Sequence, residues 1–87
     1  MSNTQKNRIS VEIFGTQYVI LGTESTDHIR HVASLVDNKM REISSKNPGL
    51  GINQLAVLTA VNAVNDYLKM KDELKRLHTE QQPEKEL

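Results

Sequence analysis

Hydrophobic and polar residues begin to alternate at Arg8: Ile9, Val11 and Ile13 are separated by Ser10 and Glu12, and beyond Phe14 and Gly15-Thr16 come Tyr18, Val19, Ile20 and Leu21. Alternation of this kind, rich in β-branched residues on both sides of a glycine, predicts a β-hairpin. With Gly15 leading, the pair Gly15-Thr16 suits a two-residue type II′ turn, and Gly22 closes the second strand. Thr23 to Asp27 is a cluster of residues whose side-chain oxygens cap helix N-termini. Behind it Ile29, Val32, Ala33, Val36, Met40 and Ile43 recur at helical spacing, while Arg30, Asp37, Lys39, Arg41 and Glu42 lie mostly off that stripe. The pattern predicts an amphipathic helix of about twenty residues that stops before Asn47-Pro48-Gly49, where proline and glycine oppose continuation.

From Ile52 to Gln82 neither residue interrupts the chain, and a helix of that length spans roughly 45 Å. Such a rod outruns the small head. Its first half is apolar on more than one face: Val57, Val61, Val64 and Leu68 form one stripe, Leu55 and Leu58 a second, and Ala56, Ala60 and Ala63 a third of small residues. The usual cover for a stripe like the first is the core of the same chain. The second half narrows to Tyr67, Met70, Leu74 and Leu77, spaced three, four and three, a coiled-coil seam that continues the alanine stripe. No further element of the chain remains to cover Leu74 and Leu77. With Tyr67 at heptad position a, a parallel pair would set Asp66 against Lys71 and Glu73 against His78, whereas an antiparallel pair would set acid against acid. The seam covers barely two heptads, so Val57 to Leu68 and the head are expected to contribute, by packing against the partner's first helix. The expected dimer interface is Val57, Ala60, Val61, Ala63, Val64, Tyr67, Leu68, Met70, Leu74 and Leu77. A lone two-stranded hairpin is marginal, which leaves its sheet open to completion by the partner.

The fold class is therefore α+β: an N-terminal β-hairpin, one amphipathic helix, and a long C-terminal helix forming a coiled coil that is at least dimeric. Residues 1–7 read as a disordered leader, 8–51 as the head, 52–82 as the dimerisation helix and 83–87 as a frayed tail. At 87 residues, without cysteine or tryptophan, the chain has no disulfide framework and only a thin core, and self-association is the common remedy. Lys and Arg number 11 against 11 Asp and Glu, so no basic field exists to hold a nucleic-acid backbone. Neither a signal peptide nor a membrane span is legible, and a cytoplasmic address is expected.

Candidate chemistry is sparse. Asp27, His28 and His31 sit together at the start of the first helix, but a metal would want another ligand, and polar helix-start residues explain them. Asn62 and Asn65 share a stripe with Leu55 and Leu58, so at least one is expected to be partly buried and hydrogen-bonded, fixing register rather than catalysing. Nothing resembles a nucleophile with its base, a phosphate loop or a carboxylate pair. The expectation is a protein that is not an enzyme and takes no cofactor or metal.

Three stretches, Val11 to Ile20 (VEIFGTQYVI), Val32 to Ile43 (VASLVDNKMREI) and Leu55 to Leu74 (LAVLTAVNAVNDYLKMKDEL), together resemble the ZapA family of bacterial cell-division proteins, in the family's order. The resemblance implies an accessory factor that binds the tubulin-like protein FtsZ, bundles its filaments and assists ring assembly at mid-cell, as a dimer that can pair into a tetramer. The coiled coil is shorter than in the longer members, which argues against a stable antiparallel tetramer, and Thr16 stands where relatives often carry a basic residue. The candidate filament-facing residues are Thr16 and Gln17 at the hairpin tip with Arg30, Lys39, Arg41, Glu42 and Lys46 on the first helix. Two alternatives are a coiled-coil adaptor for another cytosolic protein and a small nucleic-acid-binding protein, the latter disfavoured by neutral charge and few aromatics.

Overall fold

The structure, a computed structural model, describes residues 6–80. Most of the expected leader and all of the expected tail, residues 83–87, lie outside the described residues. Four elements follow in order: β1 (Asn7–Ile13), β2 (Thr16–Gly22), α1 (Thr26–Lys46) and α2 (Ile52–Glu80). β1 begins at Asn7, inside the stretch read as leader, and the Asn7 side chain donates from Nδ2 to the Glu24 carbonyl at 2.7 Å.

The strands pair antiparallel with Ile9 opposite Ile20, Val11 opposite Tyr18 and Ile13 opposite Thr16. That register corrects the turn. Thr16 is already in the ladder, so the two loop residues are Phe14 and Gly15, at φ +49° and +80°. Positive φ at both centres is the type I′ signature, whose twist matches that of the flanking strands, whereas type II′ requires it only at the first. Glycine takes this conformation freely; an aromatic residue in it is strained by about 1–2 kcal/mol.

α1 opens on Ser25, whose hydroxyl accepts from the His28 amide at 3.1 Å. It closes at Asn47, whose amide and side chain both return to the Ile43 carbonyl, each at 3.0 Å. These contacts take up backbone groups that helix ends otherwise leave unpaired. Gly49, at φ +102°, reverses the chain, and α2 starts with the Leu55 amide bonded to the Gly51 carbonyl.

Two small apolar clusters result. Ile9, Val11, Ile29 and Ala33 join the inner face of the hairpin to the first half of α1, with Ile13 and Ile20 against them. Met40, Ile43 and Leu55 join the second half of α1 to the first turns of α2, with Ile13, Phe14, Leu50 and Leu58 around them. Ile13 belongs to both, so the hairpin, α1 and the base of α2 form one continuous head.

Candidate functional site

α2 packs on α1 along one side only. That side carries Leu55, 2% exposed, and Thr59, also buried, whose hydroxyl donates to the Leu55 carbonyl at 2.7 Å and so needs no partner across the interface. One turn on, Asn62 is half-buried and donates to the Leu58 carbonyl at 3.3 Å, while Asn65 is exposed. Farther along, Lys39 of α1 reaches Asp66 at 3.0 Å. The Asp66 hydrogen bond raises the Lys39 pKa.

The other side is bare. Val57, Val61, Val64 and Leu68 are each half or more exposed, and so are Tyr67, Met70 and Leu74. Among the described residues nothing covers the first four, although the core of the same chain is the usual cover for such a stripe. α1 occupies the face of Leu55 and Leu58, and the helical repeat turns the valines away from it. Ala60 and Ala63 are exposed as well, and Leu77 is partly so. From Ala56 to Leu77 the positions Ala56, Ala60, Ala63, Tyr67, Met70, Leu74 and Leu77 hold a strict heptad spacing with no cover among the described residues, a strip of roughly 32 Å. A shallow apolar groove of about 450 Å³ lies on the valine side, lined by Leu50, Val57, Leu58 and Val61, while Ala56 at the lower end of the strip lines another of about 330 Å³ with Tyr18, Met40 and Ile52.

Charges along the strip are partly engaged inside the chain. Asp66 holds Lys39, Glu73 is paired with Arg76, and the Lys71 ammonium lies 5.8 Å from the Tyr67 ring centroid. The inter-helix pairs read from the heptad, Asp66 with Lys71 and Glu73 with His78, would have to compete with these contacts.

The seven candidate filament-facing residues do not form one patch. At 100° per residue, Arg30 and Arg41 share one flank of α1, whereas Lys39, Glu42 and Lys46 lie on the other. Glu42 and Lys46 pair with each other at 3.6 Å. Thr16 and Gln17 are exposed where β2 begins, and Gln17 accepts from the Ser10 hydroxyl at 3.0 Å. A residue that the sequence did not single out links the tip to the helix. Asp37 accepts the Phe14 amide on Oδ1 at 2.7 Å and Arg41 Nε on Oδ2 at 2.9 Å, while the Arg41 guanidinium sits 5.5 Å from the centroid of the Phe14 ring. The Arg41 hydrogen bond, with the Phe14 amide behind it, holds the Asp37 carboxyl below its ordinary pKa. The only sequence signal was the Asp37/Arg41 spacing of four, which is common on helix surfaces.

Elsewhere, Tyr18, Val19 and Leu21 of β2 and Val32 and Leu35 of α1 are exposed apolar side chains. A second apolar groove, of about 330 Å³, runs between β2 and α1 past Ile20, Val32 and Val36. The expected covering of the hairpin and of the first helix by a partner would fall on these residues. His28 and His31 are exposed, and among the described residues no group of three potential metal ligands converges and no helix is long and apolar enough to cross a membrane.

Comparison with known proteins gives this arrangement a lineage. The family model described as cell division protein ZapA matches residues 9–87. Cell division protein ZapA of Bacillus licheniformis is 64% identical over 77 residues, 88% of this chain and 91% of that protein. Its counterpart in a Geobacillus species is 62% identical, covering 88% of each chain. Among solved structures, a ZapA mutant dimer from Geobacillus stearothermophilus superposes with a TM-score of 0.70 at 50% identity, over 92% of this chain and 93% of that one. A conserved bacterial protein of unknown function from Pseudomonas aeruginosa superposes at 0.72 with 28% identity, over 86% of this chain and 84% of that one. A hairpin, an amphipathic helix and a long helix bared along one side, in a sequence matched from its first strand to its last residue, place this chain in the ZapA family of cell division proteins.

Proposed function

We propose that the chain is a non-enzymatic, cytoplasmic division factor that dimerises along α2, binds FtsZ filaments through its heads and gathers them into the ring at mid-cell. The observation that carries the reading is the uncovered heptad strip from Ala56 to Leu77. Leaving Tyr67, Met70, Leu74 and the neighbouring valines in water forfeits roughly 1.5–3 kcal/mol for each large side chain. A second copy supplies the same heptad repeat in return. The solved relative described as a ZapA dimer supports that occupant. The exposed residues of β2 and α1 extend the surface on which a partner's helix would rest. Paired heads then give one molecule two weak attachments, and linkage makes the second one intramolecular, so filaments are joined without chemistry.

Sedimentation across micromolar concentrations should show an elongated dimer without detectable monomer, and the same preparation should increase the FtsZ polymer recovered by low-speed pelleting. A compact monomer would remove the basis for bridging. A dimer that leaves pelleted polymer unchanged would point to a different cytosolic partner.

A further inference from the structure

We propose that Asp37 is a positioning residue for the hairpin tip: its carboxylate, braced by Arg41, clamps the Phe14-Gly15 turn in the conformation that presents Thr16 and Gln17. The proposal rests on the reading that the heads bind filaments. Phe14 is an unsuitable residue for the first centre of a type I′ turn, where asparagine, aspartate or glycine is the usual choice. It adopts φ +49° nonetheless. What local chemistry does not supply, α1 does. One Asp37 oxygen takes the Phe14 amide at 2.7 Å and the other takes Arg41 Nε at 2.9 Å. Arg41 in turn lies over the Phe14 ring, and that ring packs on the cluster of Met40, Ile43 and Leu55. The turn is therefore held by its backbone, by its ring and by the hydrophobic base beneath the ring, all converging on the second half of α1 and the base of α2. Bidentate use of a carboxylate fixes direction as well as distance. Loss of Asp37 would free the strained residue to leave the left-handed region and rotate the two exposed tip residues with it.

A consequence concerns Arg41, itself one of the candidate filament-facing residues. Replacing it would weaken filament binding even without a contact to the filament, because part of its effect passes through Asp37 and the turn. The test compares Asp37→Ala, Asp37→Asn, Arg41→Ala and the double change Asp37→Ala with Arg41→Ala. Each is read twice, by hydrogen exchange at the Phe14 amide and by co-pelleting with FtsZ filaments. Asp37→Ala should speed exchange at Phe14 by about tenfold or more, the scale of a lost charge-assisted hydrogen bond. It should also weaken co-pelleting several-fold. Asp37→Asn keeps an oxygen for the amide and should retain most of both, which preserves the test should the alanine variant unfold the head. The double variant should lose less binding than the two alanine changes added together, because the part of Arg41 that acts through Asp37 is already gone. Unchanged exchange in Asp37→Ala, with wild-type protein still pelleting with filaments, overturns the clamp and leaves the filament reading standing. Full additivity of the two alanine changes overturns it as well. If exchange responds but the wild type never pellets with filaments, the filament reading has failed and the positioning role falls with it.

Discussion

Phe14 shows how a single residue can be placed correctly in an element and still misread. The alternation around it predicted the hairpin, and the glycine beside it predicted the tight turn. Yet the local pattern places the turn one position late, because Phe14 reads as strand and its left-handed conformation is the work of Asp37, 23 residues away. Contacts of that range leave no trace in local spacing. The clamp has a testable dependence on pH. Its carboxyl has a lowered folded-state pKa, so on acidification the unfolded chain takes up this proton first. The stabilisation from Asp37 is thus whole above the ordinary unfolded value of about 3.9 and disappears as pH falls through the folded one. Asp37→Asn retains an acceptor but cannot titrate. The melting temperature of the wild type should exceed that of Asp37→Asn by a constant margin between about pH 8 and pH 5, and the margin should narrow below about pH 4. A margin that changes across the neutral range would mean that another group holds the turn.

Among the elements, α2 divides between what periodicity can tell and what only packing can. The strand and helix positions, the stop at Asn47-Pro48-Gly49 and the partial burial of one of Asn62 and Asn65, which proves to be Asn62, are all readable. Leu55 and Leu58 also fell on a stripe of their own. What periodicity could not decide was which of three stripes α1 would choose, and the structure gives it the stripe of Leu55, with Thr59 buried beside it. The sequence gives no reason to bury Thr59, since its satisfaction depends on a bond back to the Leu55 carbonyl. The valine stripe, for which cover within the chain was the usual expectation, is left for another surface. Leu55 is therefore the apolar pin between rod and head, and the Lys39–Asp66 pair farther along is too exposed to replace it. Leu55→Ala should cost about 2–5 kcal/mol, the range for deleting a buried leucine side chain. Far-ultraviolet dichroism during urea unfolding measures this directly. A loss under about 1 kcal/mol would mean that the base of α2 is held chiefly by its exposed face, against a partner.

At the scale of the whole molecule, head and rod have separable tasks, and one double change tests the separation. Leu74 and Leu77 lie on the heptad strip beyond the Asp66 contact with α1, and Leu74 is 68% exposed in the single chain. Replacing them by Leu74→Asp with Leu77→Asp removes nothing that the head's two clusters use. In a parallel pair, however, it sets carboxylates face to face across the seam, losing apolar burial and adding like-charge repulsion in a desolvated place. The dimer should weaken by several kcal/mol, the usual scale for an uncompensated buried charge. Paired attachment raises apparent affinity by roughly 10²–10⁴ through effective concentration. A monomeric variant should therefore keep weak filament binding and lose the ability to gather filaments. A dichroism melt establishes first that the head is folded, sedimentation then establishes that the variant is monomeric, and pelleting at low and high speed separates gathered from merely bound polymer. The expected result is recovery with filaments at high speed only. Should the folded monomer still bring filaments down at low speed and at the wild-type concentration, bridging by paired heads is wrong. Each head would then have to act alone, by altering the lateral surface of the filament to which it binds.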